Sequence, residues 1–180
     1  VDKPKRSFEG FLAIQKLTGR LPYDFFDTGY FGGTLLNIGL LGLLYWAYVL
    51  AVGGPINGPV IGGLFTIMAF GGFGKTLRNT VPVVAGVILS TLVFAKSPTA
   101  PSPLLAALFS TTLAPIAGQF GVIAGLLAGF IHLVMVEVTA SWHAGLDLYN
   151  NGFAGGLTAS LFVAILQWYK TNRPKEDFTT

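Results

Sequence analysis

From Thr28 to Gly74 the chain runs 47 residues without one Asp, Glu, Lys or Arg. Three more charge-free windows follow: 17 residues from Asn79 to Ala95, 40 from Ser97 to Val136 and 22 from Leu148 to Tyr169. A helix rises about 1.5 Å per residue, so about 20 residues cross the hydrocarbon of a bilayer. The two shorter windows therefore fit one span each, and the two longer windows fit two each. Across all 180 residues 52% are apolar and 11% charged, more apolar surface than one water-soluble core of this length can hide. The absence of Cys excludes a disulfide scaffold and thiolate zinc sites.

Helix breakers fall where the long windows must turn. Gly53-Gly54-Pro55-Ile56-Asn57-Gly58-Pro59 interrupts the first, and Ala114-Pro115-Ile116-Ala117-Gly118-Gln119 the second. The expected spans are Gly33–Val52, Pro59–Phe73, Thr80–Ala95, Pro103–Ala117, Phe120–Val138 and Phe153–Tyr169. They are expected to be helical, since runs such as Val122–Leu133 lack the alternation of a barrel strand. The fold class is thus an all-α polytopic transmembrane bundle of about six spans. Pro59–Phe73 and Pro103–Ala117 are short for the bilayer, as buried short spans or half-membrane helices would be.

The basic residues test this topology. Six spans put Lys3, Lys5, Arg6, Lys16, Arg20, Lys75, Arg78, Lys170, Arg173 and Lys175 on one side and leave Lys96 on the other. Such a bias marks a cytoplasmic face and predicts a cell-membrane protein with both termini inside. The net charge of +3 then orients the chain and implies no nucleic-acid partner. Residues 1–30 read as an amphipathic segment at that face, with Phe8, Phe11, Leu12 and Ile14 set among Lys16 and Arg20. Residues 31–170 form the membrane domain, and 171–180 a polar tail. A chain opening at Val1 is expected to be a piece of a longer protein, and its expected partners are the lipid bilayer and either further membrane segments of that chain or a second copy of itself.

Two segments resemble each other at an offset of 123 residues: Asp24 to Gly33 and Asp147 to Gly156. Both read acid, apolar, aromatic, Asp or Asn, any residue, Gly, aromatic, any residue, Gly-Gly. Each opens a span ending in paired aromatics, Tyr45-Trp46 and Trp168-Tyr169. Five spans apart, such copies would be antiparallel, as in the inverted repeats of channels and transporters. The alternative is that an acid or Asn before glycines simply caps a helix.

Glycines at helix-face spacing, among them Gly121, Gly125 and Gly129 after Gly118, let another helix approach closely. Gly29, Gly32, Gly33, Gly152, Gly155 and Gly156 are expected at turns or in packing. Gly71-Gly72-Phe73-Gly74-Lys75-Thr76 is no phosphate loop, because Ala69 stands where the first glycine belongs. His132 and Glu137 point about 140° apart on one helix, so they share no ligand face. His143 and Asp147 are spaced to pair on one turn. No nucleophile elbow or zinc-protease motif is present, and no catalytic residue, metal or cofactor is expected. Asp24, Asn37, Glu137, Asp147 and Asn150 are the polar residues best placed to line a path.

Leu21-Pro22-Tyr23-Asp24-Phe25-Phe26, Gly32-Gly33-Thr34-Leu35-Leu36-Asn37 and His143 through Phe153 resemble an uncharacterised bacterial multipass membrane family. That resemblance covers most of the chain and implies an integral membrane protein without implying an activity. The antiparallel offset is similar to the architecture of urea transporters, although their proline-containing selectivity motif is not evident. The expected function is a channel or transporter module for a small polar solute. Its rival is a noncatalytic membrane scaffold or assembly subunit.

Overall fold

The computed structural model describes residues 4–20, 24–28, 30–144 and 146–172. Its elements are α1 (Pro4–Ile14), α2 (Phe31–Ala51), α3 (Gly58–Phe70), α4 (Leu77–Val93), α5 (Pro101–Phe109), a 3₁₀ turn (Ser110–Leu113), α6 (Ala114–Phe120), α7 (Val122–Thr139), a second 3₁₀ turn (Ala140–His143) and α8 (Asp147–Asn172). Four helical segments are long and apolar enough to cross a membrane: Phe31–Ala51, Pro101–Phe120, Val122–His143 and Asp147–Tyr169. Gly58–Phe70 and Leu77–Val93 are apolar but shorter. Every expected span therefore corresponds to an apolar helix, and the chain is a helical membrane protein.

Local chemistry fixes the ends. At α3 the Asn57 side chain accepts from the Val60 N–H at 3.1 Å, and Pro59 sits where its missing N–H costs nothing. At α4 Thr76 and Asn79 satisfy each other's backbone N–H groups in a capping box. After α2 the chain turns at Gly53, φ +71°, and the Gly54 N–H reaches back to the Val49 carbonyl at 2.8 Å.

The fourth span differs from its expected bounds. It extends to Pro101–Phe120, so it is not short, and a 3₁₀ turn divides it. Pro115 does not end it. It takes a first-turn position of α6, and the chain reverses instead at Gly121, φ +94°. The second short helix is α4.

Leu41, Tyr45 and Val49 of α2 pack with Val60, Leu64 and Ile67 of α3, Leu104 and Leu108 of α5, and Leu133 and Val136 of α7. α4 and α7 form the closest pair. A Cβ on Gly129 would strike the Val83 carbonyl oxygen, and one on Gly86 would lie 2.8 Å from the Phe130 nitrogen. The glycine spacing of α7 therefore serves packing at Gly125 and Gly129, while Gly121 makes the turn. Outward, Leu43 is 69% exposed, Phe65 63% and Ile123 77%. Apolar side chains facing out all around the bundle fit a lipid solvent.

α1 lies along the first turns of α2, with the Gly10 backbone against Gly33 and Gln15 bonded to Asn37. Phe11 and Ile14 are buried; Lys5, Arg6 and Lys16 are exposed. The following residues continue inward, Thr18 onto Gly118 and Gly19 onto Gly74. This collects Lys16, Arg20, Lys75 and Arg78 at one end of the bundle. Lys96 lies at the other, 2.5 Å from Glu137.

The two similar segments do not form equivalent structures. Asp147 opens α8, so its whole segment is helical. Asp24 opens a turn in which its Oδ1 accepts from the Phe26 N–H at 2.8 Å, and helix starts only at Phe31. Gly33 is packed on α1, whereas Gly156 meets nothing. Gly29 lies outside the described residues. The likeness stops at the sequence: Asp24 lies in a turn ahead of its helix, whereas Asp147 is the first residue of one.

Candidate functional site

The break in the fourth span is the local origin of the site. Pro115 cannot donate to the Thr111 carbonyl, and the hydroxyls of Ser110 and Thr111 turn back to the Ala107 and Leu108 carbonyls at 2.9 and 2.8 Å. The chain tightens there into the 3₁₀ turn, leaving Thr112 exposed on its outer side.

Two grooves meet at that turn, and Thr112 and Pro115 line both. One, about 340 Å³, runs between Arg20 and Gln119 and the Val163, Leu166 and Gln167 side of α8. The other, about 360 Å³, runs between Lys75, Phe70 and Phe109 and the Leu148 and Gly152 side of α8. Leu148, Gly152, Ala159, Val163 and Leu166 follow helical spacing, so one face of α8 lines the pair. From Leu148 to Gln167 that face rises about 28 Å, close to the hydrocarbon thickness. Between the grooves, a Cβ on Gly155 would sit 3.0 Å from the Thr112 methyl and 3.8 Å from His132 Cε1. Among the described residues each lining set holds one cation, Arg20 or Lys75, and neither holds Asp or Glu.

Lys75 is 6% exposed. Its Nζ donates to Thr111 Oγ1 at 2.8 Å and lies 5.0 Å from the centroid of the Phe70 ring. Among the described residues no carboxylate pairs with it. Burial pushes its pKa down to about 7. Set against the ordinary value of 10.5, that is about 5 kcal/mol of differential cost to the ammonium. The segment carrying it is held rigidly. Asn37 Nδ2 donates to the Gly71 and Lys75 carbonyls, each at 2.8 Å, and Asn79 Nδ2 donates to the Gly74 carbonyl at 2.9 Å. The Phe25 N–H takes the Gly72 carbonyl at 2.9 Å. Gly74, φ +107°, allows contact with Gly19, whose carbonyl oxygen a Cβ would approach to 2.7 Å. The glycine run before Lys75 thus builds a pedestal for a buried cation.

A second polar cluster joins α7 to α8. Asn150 accepts from Thr139 at 2.6 Å, is 2.9 Å from His143 Nδ1, and donates to the Val136 carbonyl at 2.6 Å. His132 Nε2 lies 3.2 Å from Asn151 Oδ1. Asn151 spends its amide N–H on the Asp147 carbonyl at 2.8 Å, so His132 must donate through Nε2, leaving buried Nδ1 with no partner.

The five residues singled out as path-lining do not converge. Asp24 caps a turn, Asn37 clamps the Lys75 segment, and Glu137 pairs with Lys96. Asp147 begins α8, and Asn150 is committed to the α7–α8 clasp. None lines the paired grooves. His143 pairs with Asn150, not with Asp147. Gly152 and Gly156 have no neighbour within packing range, whereas Gly155 touches the broken helix. Gly32 is half-buried at the start of α2. Among the described residues no three His, Asp or Glu side chains gather to hold a metal ion.

Sequence reasoning placed Lys75 among the charges at the inner face and missed its burial. The available signal was a lone lysine inside a glycine-aromatic run, with hydroxyls and a proline in a later span. A family model described as protein of unknown function (DUF1576) matches residues 3–168. No curated protein and no solved structure matches the chain.

Proposed function

The chain belongs to this DUF1576 family, whose description assigns no activity, and from its geometry we propose that it is a channel or transporter module for a small polar solute. The observation that carries the reading is the pair of grooves meeting at the broken fourth span. They follow one face of α8 over about the thickness of a bilayer and meet at Thr112 and Pro115. Irregular backbone at membrane depth is stable only inside protein or beside a cavity, and it commonly marks a transport site. The solute moves without covalent chemistry and meets Arg20 in one groove and Lys75 in the other. The one-sided basic residues orient the α1 end toward the cytoplasm of a cell membrane.

Purified protein in liposomes tests this reading against a panel of labelled small solutes. Uptake above empty vesicles supports it; no uptake of any of them by folded protein refutes it. A second reading, a noncatalytic scaffold, draws on the outward apolar side chains of α8, where Ile165 and Trp168 are 55% and 66% exposed. Under that reading a partner or a second copy covers α8 and the grooves carry nothing.

A further inference from the structure

We propose that the groove at Lys75 is an anion seat for a small organic carboxylate, its head on the Lys75 ammonium and its apolar body against Phe70, Phe73 and Phe109. The inference rests on the solute-path reading and names the chemical class of the solute.

An ammonium carries three donors. One reaches Thr111 Oγ1, and that hydroxyl spends its own proton on the Leu108 carbonyl, so it serves Lys75 only as an acceptor. The other two N–H groups have no oxygen acceptor among the described residues. Among the described residues Lys75 is the only titratable group lining its groove, and no carboxylate there competes for the position. Asn37 and Asn79 fix the backbone around Lys75, and the bond to Thr111 Oγ1 holds its Nζ in place. A buried cation so held is stabilised when a ligand brings the opposite charge, and two free donors match the two oxygens of one carboxylate. The Phe70 ring already flanks the cation, and Phe73 and Phe109 extend an apolar wall. A dianion would leave charge unmatched against aromatic carbon. The groove's volume of about 360 Å³ suits a molecule of benzoate size with room to leave.

Anionic oxygens can come from solution or from a lipid headgroup, and the test separates these sources. Intact protein in phosphatidylcholine nanodiscs is titrated calorimetrically with benzoate, benzamide and inorganic phosphate. Benzoate is expected to bind saturably, and benzamide about tenfold more weakly or worse. Lys75→Met is expected to lose benzoate binding to a similar degree while keeping its helical circular dichroism, and Lys75→Arg to keep part of it. Equal binding of benzoate and benzamide, or unchanged benzoate binding by Lys75→Met, overturns the seat. Phosphate binding more tightly than benzoate overturns the carboxylate class. In discs containing phosphatidylglycerol, unchanged benzoate affinity supports a soluble ligand, whereas displacement supports the seat and identifies the bilayer as its source. Binding without solute uptake refutes transport and leaves the seat; uptake without carboxylate binding refutes the seat alone.

Discussion

Replacing Lys75 by Met should stabilise this protein, although it removes a hydrogen bond and a ring contact. Lys75 is 6% exposed with no carboxylate partner among the described residues, and its pKa is pushed down to about 7. The corresponding cost is about 5 kcal/mol at a pH where both folded and unfolded chains hold the proton. Losing the bond to Thr111 takes back about 1 kcal/mol, and losing the contact with Phe70 about 1 more. Met fills similar volume, so the net gain at pH 6 is about 3 kcal/mol. The sign with pH follows from the direction of the shift. Between about 7 and 10.5 the unfolded chain holds a proton that the folded chain has released, so stability rises with pH across that window. Below 7 the penalty is fully present. Unfolding in dodecylmaltoside, followed by circular dichroism at pH 6 and pH 9, should show the wild type gaining about 3 kcal/mol and Lys75→Met gaining far less. A flat wild-type profile, or a Lys75→Met protein less stable than wild type at pH 6, would refute the buried, unpaired cation.

The other predictions concern named contacts. Asn37→Ala strands the Gly71 and Lys75 carbonyls and the Gln15 amide, and should cost about 3 kcal/mol in denaturant titrations, with faster amide exchange at Lys75 to Asn79. Gly129→Ala drives a methyl into the Val83 carbonyl, so the α4–α7 pair must separate; a loss of about 3 kcal/mol or failure to fold is expected, read as a lowered Tm. Glu137→Gln breaks a half-exposed pair with Lys96 and should cost less than about 1 kcal/mol, leaving benzoate binding unchanged.

Much of this architecture was legible because lipid imposes a simple rule on charge. The gaps in Asp, Glu, Lys and Arg counted the apolar helices, and Gly53 and Asn57 marked the first turn by their backbone chemistry. Gly125 and Gly129 were readable as packing because close helix approach needs the absence of a side chain. The fourth span was harder. Pro115 is compatible both with ending a helix and with opening the first turn of the next, and only the packed structure decides between them. Lys75 was harder still. A charge beside an apolar window belongs at the interface by default, and its burial depends on Asn37, Asn79 and Gly19, which lie far apart in the chain. Asn37 and Asn150 attracted functional readings because polar groups in lipid are costly. Their cost is instead met by backbone carbonyls, which makes them clamps. The similarity of Asp24–Gly33 to Asp147–Gly156 misled because glycine-rich helix starts reuse few residue types.

The central claim is that a solute passes along the α8 face that lines the two grooves. Uptake of labelled pyruvate, a carboxylate that crosses bare lipid poorly, into liposomes holding wild type or Gly155→Val tests it most directly. The added side chain meets Thr112, where the grooves join, and His132, and Gly155 is not part of the groove lining that holds Lys75. The account predicts uptake by the wild type, loss of uptake by Gly155→Val, and benzoate binding retained in both. Undiminished uptake through folded Gly155→Val would contradict it.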